Sequence, residues 1–294
     1  NLKSKNYKIK IFEIVTCKNS KTKKRIKPLL KKQNTNQEIK IFFKSSEKMD
    51  NVNNNSIKLI ITSPPYWNLK DYKNKNQIGF KEDYKTFNKR LESVWKECFR
   101  VLDIDGTMWV NVNSRIAKDQ VYLLQKDIFD IAKKIGFKLI DILIWHKSSG
   151  IPVSTKRLKD NFEYVLIFAK NLPTTRLNSE IKFFDYKTKT HIQTCTNVWN
   201  LNRFTGSIGK KFEHPAIYPD ELVERAIQVC TSEGQSVLDP FLGSGTTALV
   251  CANENRKFIG FELNKNFKKL IDHRMKQKIG ELTFFSANVQ YDED

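Results

Sequence analysis

The 294-residue chain has no Cys-x-x-Cys pair, and its 5 cysteines (Cys17, Cys98, Cys195, Cys230 and Cys251) are scattered and odd in number. That pattern argues against a disulfide framework or a zinc site and for reduced thiols, so no metal and a cytoplasmic location are expected. No apolar run approaches the roughly 20 residues that cross a bilayer. The basic first residues also lack an apolar core of signal-peptide length, and no membrane partner is expected. No Gly-Lys-Ser/Thr sequence follows a glycine-rich loop, which excludes a Walker nucleotide site. Acids are the scarce charge, with 32 Asp+Glu against 52 Lys+Arg and a formal net charge of +20. Such an excess stays on the surface, where it attracts a polyanion. A lysine-rich solvated surface is the plainer alternative, but nucleic acid is the favoured partner.

A hydrophobic content of 39% is enough for a real core. Residues 1–37 form a basic extension in which Glu13 is the only acid. Strand-like runs are expected at Ile39–Phe43, Lys58–Thr62, Thr107–Val112, Leu139–Trp145, Tyr164–Ala169, Val237–Asp239 and Lys257–Glu262. Tyr84, Phe87, Leu91, Val94, Trp95, Cys98 and Leu102 share one helical face. Further helices are expected at Gln120–Ile135, at Asp220–Cys230 with Asp220 as its cap, up to Asn253 after the glycine loop, and at Asn264–Lys278. This alternation predicts an α/β sheet that is at least partly parallel. The rhythm breaks over residues 146–211, where Lys147, Lys156, Arg157, Arg203 and Lys210 interleave with Phe183, Phe184, Tyr186, Trp199 and Phe204. Basic residues there suit DNA phosphates, and the aromatics suit either bases or the core of a small insertion.

Two stretches carry chemistry. Thr62-Ser63-Pro64-Pro65-Tyr66-Trp67 puts two prolines where a strand must turn, so the carbonyls there escape a regular ladder. A small hydroxyl, a rigid turn and aromatics make an acceptor-lined slot for a flat ring bearing an amino group. A strand stop with core aromatics fits the same residues. The second stretch, Asp239-Pro240-Phe241-Leu242-Gly243-Ser244-Gly245-Thr246-Thr247, joins a strand to a helix N-terminus with unpaired N–H groups. Glu262, at the end of the next strand, is placed to accept bonds from both hydroxyls of a ribose. Gly243-x-Gly245-x-x-Ala248 also satisfies the permissive dinucleotide fingerprint, which keeps an NAD oxidoreductase in view. Asp239, just before the loop, suits a ligand with a positive centre better than a pyrophosphate.

Together these stretches resemble the amino-group DNA methyltransferases, and the order, catalytic motif before cofactor motif, resembles their β group. His214-Pro215-Ala216-Ile217-Tyr218-Pro219 and Glu163-Tyr164-Val165-Leu166-Ile167-Phe168-Ala169-Lys170 are also similar to segments of that family. The resemblance covers roughly residues 38–275. It implies a Rossmann-like class I methyltransferase sheet with circularly permuted motif order and an inserted target-recognition region. The implied divisions are a catalytic half at 38–145, target recognition at 146–211 with strand 164–169 returning to the sheet, a cofactor half at 212–280 and a tail at 281–294. It implies S-adenosylmethionine as cofactor, held by Asp239, Phe241, Gly243, Ser244, Gly245, Thr246, Thr247 and Glu262. Ser63, Pro64, Pro65 and Tyr66 become catalytic, acting on a base flipped out of double-stranded DNA. Serine at the first position resembles the N4-cytosine subgroup, with N6-adenine as the alternative. Lacking a Pro-Cys pair, the chain is not expected to methylate cytosine at C5. A cognate restriction endonuclease, and a monomer or homodimer, are the family's expectations. A DNA-binding protein that kept the fold without catalysis is the non-enzymatic alternative. One departure stands out: Lys44-Ser45-Ser46 occupies the place of a Gly-Asp-Ser-like element.

Overall fold

The computed structural model describes residues 38–117, 119–151, 158, 160–185, 190–193, 196–202, 218–279 and 289–292. The basic extension at 1–37 lies outside them.

In chain order the elements are β1 (Ile39–Phe42), β2 (Ile57–Thr62), α1 (Tyr84–Val101), β3 (Leu102–Val112), β4 (Arg115–Ala117), β5 (Gln120–Tyr122) and α2 (Leu124–Ile135). Then come β6 (Lys138–Ile151), β7 (Asp160–Ala169), β8 (Lys182–Asp185), β9 (Thr190–Gln193), β10 (Val198–Asn200) and α3 (Asp220–Cys230). The chain continues through β11 (Ser236–Asp239), α4 (Thr246–Asn253), β12 (Lys257–Phe261), α5 (Phe267–Ile279) and β13 (Val289–Asp292). Nine strands form one sheet in the order β10-β6-β7-β3-β2-β11-β12-β1-β13. Only β7 pairs antiparallel, with β3 and β6 on its two sides.

The sheet is buried on both faces, which is why the central stretches of β2, β3 and β11 at 59–61, 108–110 and 237–238 are consecutive apolar residues. Phe87, Leu91, Val94, Trp95 and Cys98 of α1 and Ile128 of α2 cover one face. Leu222, Val223 and Ile227 of α3, Leu249 of α4 and Ile271 and Met275 of α5 cover the other. Asp83 caps α1, accepting from the Thr86 amide at 2.9 Å. Gly136, at φ 123°, stops α2 where an added Cβ would press on the Phe99 ring at 3.2 Å.

Several sequence expectations need correction. Gln120–Tyr122 is not the start of a helix but pairs with Arg115–Ala117 as a hairpin, and α2 begins at Leu124. Asp220 lies inside the first turn of α3, where Pro219 is the cap residue and supplies no side-chain bond. Helix α1 leads directly into β3, so Asp105 and Gly106 are strand residues; the register with β2 shifts there. A Cβ on Gly106 would come within 3.0 Å of the Ile57 carbonyl, so glycine serves close strand approach there. The 281–294 tail contains β13, which pairs parallel with β1 and stacks Tyr291 on Phe43 at 5.8 Å. Over 146–211 the break is only partial, because β6 runs on to Ile151 and β10 joins the sheet beside it. Phe183 and Trp199 are buried in the core, with Arg225 packed over both rings. Those two aromatics therefore do not face bases.

Candidate active site

The chain leaves β2 towards β3 on one side of the sheet and leaves β11 towards β12 on the other. The carboxyl ends of β2 and β11 thus form a topological switch point, where open α/β sheets bind ligands. The two sequence motifs sit at those two strand ends. Across a sequence separation of 177, Thr62 Oγ1 donates to Asp239 Oδ1 at 2.7 Å.

A cavity of about 870 Å³ opens at this point. Ser63, Pro64, Pro65 and Tyr66 line one part of it, and Pro240 to Ser244, Thr246 and Glu262 line another. Trp67 points the other way, into the core, where Nε1 bonds the Glu82 carbonyl at 2.9 Å and the ring packs on Tyr84 and Tyr122. Arg115 ties down the loop behind it, donating to the Trp67 carbonyl at 3.1 Å and the Asn68 carbonyl at 3.0 Å.

Gly245, at φ 82°, caps α4, and a Cβ there would sit 3.1 Å from Ile271. The turn is fixed from behind by Arg274, whose Nη1 donates to the Ser244 carbonyl (2.9 Å), Ser244 Oγ (2.6 Å) and Thr246 Oγ1 (2.9 Å). Glu262 accepts from the Gly243 amide at 2.8 Å and the Asn264 amide at 2.7 Å. Burial pushes its carboxyl up to about 7 against the pull of those two amides. Tyr72 stands near it, its phenol pushed up to about 12 by burial and by the Glu262 charge. The Tyr72 carbonyl accepts from Asn264 at 2.8 Å and Asn74 reaches the Leu263 carbonyl at 2.9 Å, so the loop after the proline turn is strapped to the end of β12.

Asp239 differs from expectation. It is 0% exposed and does not line the cavity. Oδ1 accepts from Thr62 and from the Phe241 amide (3.0 Å), and Oδ2 accepts from Thr247 Oγ1 (2.6 Å) and Tyr218 Oη (2.9 Å). Four donors fill the acceptor capacity of a carboxylate. Asp239 is therefore the clamp between the two motifs rather than the partner of a ligand's positive centre. Burial raises its carboxyl, and the Thr247 and Thr62 hydroxyls work against that rise.

Lys147 needs a similar correction. Only 5% exposed, it pairs with Glu163 inside the cavity wall and lies over the Trp145 ring at 4.9 Å. A buried, paired ammonium is not a surface phosphate contact. Lys156, Arg157, Arg203 and Lys210 lie outside the described residues. Lys44, Ser45 and Ser46, the departure noted above, do line the cavity.

A family model described as DNA methylase, covering N6 and N4 enzymes, matches residues 57–273 and so spans both motifs and the sheet that joins them. The chain belongs to this N6/N4 DNA methylase family. Its similarity to the type II methyltransferase M.XycI of Xanthomonas campestris pv. cyanopsidis is 32% identity over 258 residues, covering 75% of this chain and 81% of that one. The orphan methyltransferase M.BamHII of Bacillus amyloliquefaciens is 32% identical over 258 residues, covering 78% and 92%. The fold is similar to that of PvuII DNA methyltransferase (cytosine-N4-specific), with a TM-score of 0.66, 21% identity and coverage of 87% and 95%. The DNA modification methylase TTHA0409 of Thermus thermophilus, solved with S-adenosyl-L-methionine, gives a TM-score of 0.61 at 24% identity over 86% and 98%.

For this methylase S-adenosylmethionine is the cofactor. The residues fit it. The Glu262 carboxylate borders the cavity beside an open glycine turn, an arrangement that accepts ribose hydroxyls and repels a pyrophosphate. The family assignment displaces the dinucleotide reading. Among the described residues no helix is long and apolar enough to cross a membrane, and no group of three or more His, Cys, Asp or Glu could hold a metal.

The sequence reading missed Tyr218 as a clamp residue, and it missed Asn111, Glu163 and Arg274 as site residues. Glu163 did leave a signal: an acid just before the apolar run of a strand buried on both faces.

Because Glu262 titrates near neutrality, cofactor affinity should fall about tenfold between pH 8 and pH 6 as the carboxylate protonates. Its raised folded value also means that the cofactor-free fold binds the extra proton, so its contribution to stability declines as pH rises from 4.5 to about 7. Calorimetric titration across that range should give a flat profile for Glu262→Gln.

Proposed function

We propose that the chain is a site-specific DNA methyltransferase that methylates the exocyclic N4 amine of a cytosine flipped out of double-stranded DNA. The observation that carries this reading is the meeting of the Ser63-Pro64-Pro65-Tyr66 turn and the Pro240–Ser244 loop in one cavity at the switch point. S-adenosylmethionine supplies an electrophilic methyl group on a sulfonium. The chain's own work is to bind, orient and exclude water. Glu262 and the glycine turn take the ribose, with Phe241 and Thr246 lining the cavity beside them, while Thr247 is turned to Asp239.

An exocyclic amine is a poor nucleophile because its lone pair is delocalised into the ring. Ser63 Oγ and the Pro64 carbonyl accept its two N–H bonds and turn the lone pair towards the methyl group. Tyr66 stacks on the base and offsets the few kcal/mol lost on unstacking. The nitrogen gains the methyl as the carbon–sulfur bond breaks, and it sheds one proton past Ser63 to water. Positioning of this kind contributes about 7–11 kcal/mol. No covalent nucleophile is needed, and the described cysteines Cys98, Cys230 and Cys251 are all buried.

Serine at the first motif position supports cytosine over adenine. Adenine N6 is the second reading, because the family spans both products. The basic residues Lys156, Arg157, Arg203 and Lys210 supply phosphate contacts in this account, and a cognate endonuclease is the partner suggested by the type II relatives. Sequencing of DNA from cells expressing the chain, by a method that maps modified bases, should show modified cytosine at one short motif. Modification confined to adenine would favour the second reading.

A further inference from the structure

Behind the proline turn, Tyr66 is joined to three polar side chains, Asn111, Glu163 and Lys147, that take no part in the steps above. Tyr66 Oη donates to Glu163 Oε2 at 3.1 Å, and Asn111 Nδ2 donates to the same oxygen at 2.6 Å. Lys147 Nζ donates to the other oxygen, Oε1. All four residues line the cavity, although Asn111 and Lys147 are only 4% and 5% exposed. Among the described residues Glu163 is the one hydrogen-bond acceptor on Lys147, while an ammonium carries three donors. A buried cation with spare donors facing a cavity is costly unless a ligand fills them.

The position of the cluster narrows the ligand. Ser63 and Tyr66 line the cavity from the same turn, and Tyr66, Glu163 and Lys147 form a hydrogen-bonded line from that turn into the wall. A base whose amine sits at Ser63 lays the ring atom next to that amine along this line. In cytosine and adenine alike, that atom is a ring nitrogen with a free lone pair. Thymine and guanine carry a carbonyl where cytosine and adenine carry that amine, and the ring nitrogen beside the carbonyl is protonated. We propose that Lys147, held by Glu163, donates to the ring nitrogen beside the target amine and so fixes the base edge in register with Ser63. Glu163 keeps the pair neutral, so the cation does not oppose the positive charge that develops on the amine. The inference rests on the placement of the target amine at Ser63.

The test is a cycle of variant against substrate analogue, using duplexes whose target cytosine is replaced by 3-deazacytosine, which keeps the amine and lacks the ring acceptor. If the mapped target is adenine, 1-deazaadenine takes its place. The wild type should lose about 10- to 100-fold in kcat/KM on the analogue. Lys147→Met should show that loss on the natural base and little further loss on the analogue. The double variant Lys147→Met/Glu163→Gln removes the unpaired carboxylate and should behave the same way, so poor folding of the single variant does not blunt the test. An analogue penalty of equal size in wild type and in the double variant would overturn the inference. Unchanged turnover in Ser63→Ala and Tyr66→Ala would instead overturn the placement of the base, and the inference with it.

Discussion

Tyr66→Ala should lower kcat by about 100-fold while leaving cofactor affinity within twofold of the wild type. Stacking on an aromatic side chain is worth about 1–3 kcal/mol per base, and the ring also holds the base in line with the methyl group. The ring lines the cavity from the turn after β2, whereas Glu262 and the glycine turn line it from the ends of β12 and β11, which is why cofactor binding should survive. Tyr66→Phe separates stacking from the phenol. Burial first, and then the Glu163 charge, push that phenol well above its ordinary range, so it stays protonated and is not a general base. The phenylalanine variant should therefore keep most of the turnover, losing only what the bond to Glu163 adds to positioning. Single-turnover kinetics on a duplex carrying the mapped site, beside calorimetric titration of the cofactor, reads both quantities. Wild-type turnover in Tyr66→Ala would remove the stacking role.

Asp239→Ala should be the most damaging single change in the molecule. It removes the acceptor shared by Thr62, Phe241, Thr247 and Tyr218 in a site that is 0% exposed, and only the Thr247 and Tyr218 hydroxyls have each other left to bond. Breaking a buried network of this kind costs about 3–5 kcal/mol. The loss should appear as a lower urea midpoint and, because the clamp joins the β2 and β11 ends, as lost cofactor binding. Asp239→Asn retains one acceptor oxygen and should fall between wild type and alanine in both measurements. If Asp239→Ala kept wild-type stability and lost only cofactor binding, the carboxylate would be a direct ligand contact after all.

The two motifs were legible in the sequence because each needs unusual local chemistry: paired prolines at a strand end, and glycines at a helix start. Their meeting was not legible, since it depends on a 177-residue separation closed by the bond between Thr62 and Asp239. The role of Asp239 is hidden for the same reason. A carboxylate at a strand end reads alike whether it faces a ligand or four buried donors. In the sequence Lys147 looks like a surface cation, because only the pairing of β6 with β7 brings it to Glu163, 16 residues on. The β4–β5 hairpin escaped notice because strands of 3 residues are too short for an alternation to stand out. Strand β13 is the edge strand, and its partner β1 is far from it in sequence, so no local pattern announces the pairing.

The central claim is that this pocket methylates an exocyclic amine on DNA, and the most direct test is mass spectrometry of nucleosides. Double-stranded DNA treated with purified protein and S-adenosylmethionine is digested and its nucleosides are resolved. N4-methylcytosine that appears with the wild type and is strongly reduced with Tyr66→Ala is the predicted result. 5-Methylcytosine, or no methylated nucleoside with a protein that binds the cofactor normally, would contradict it.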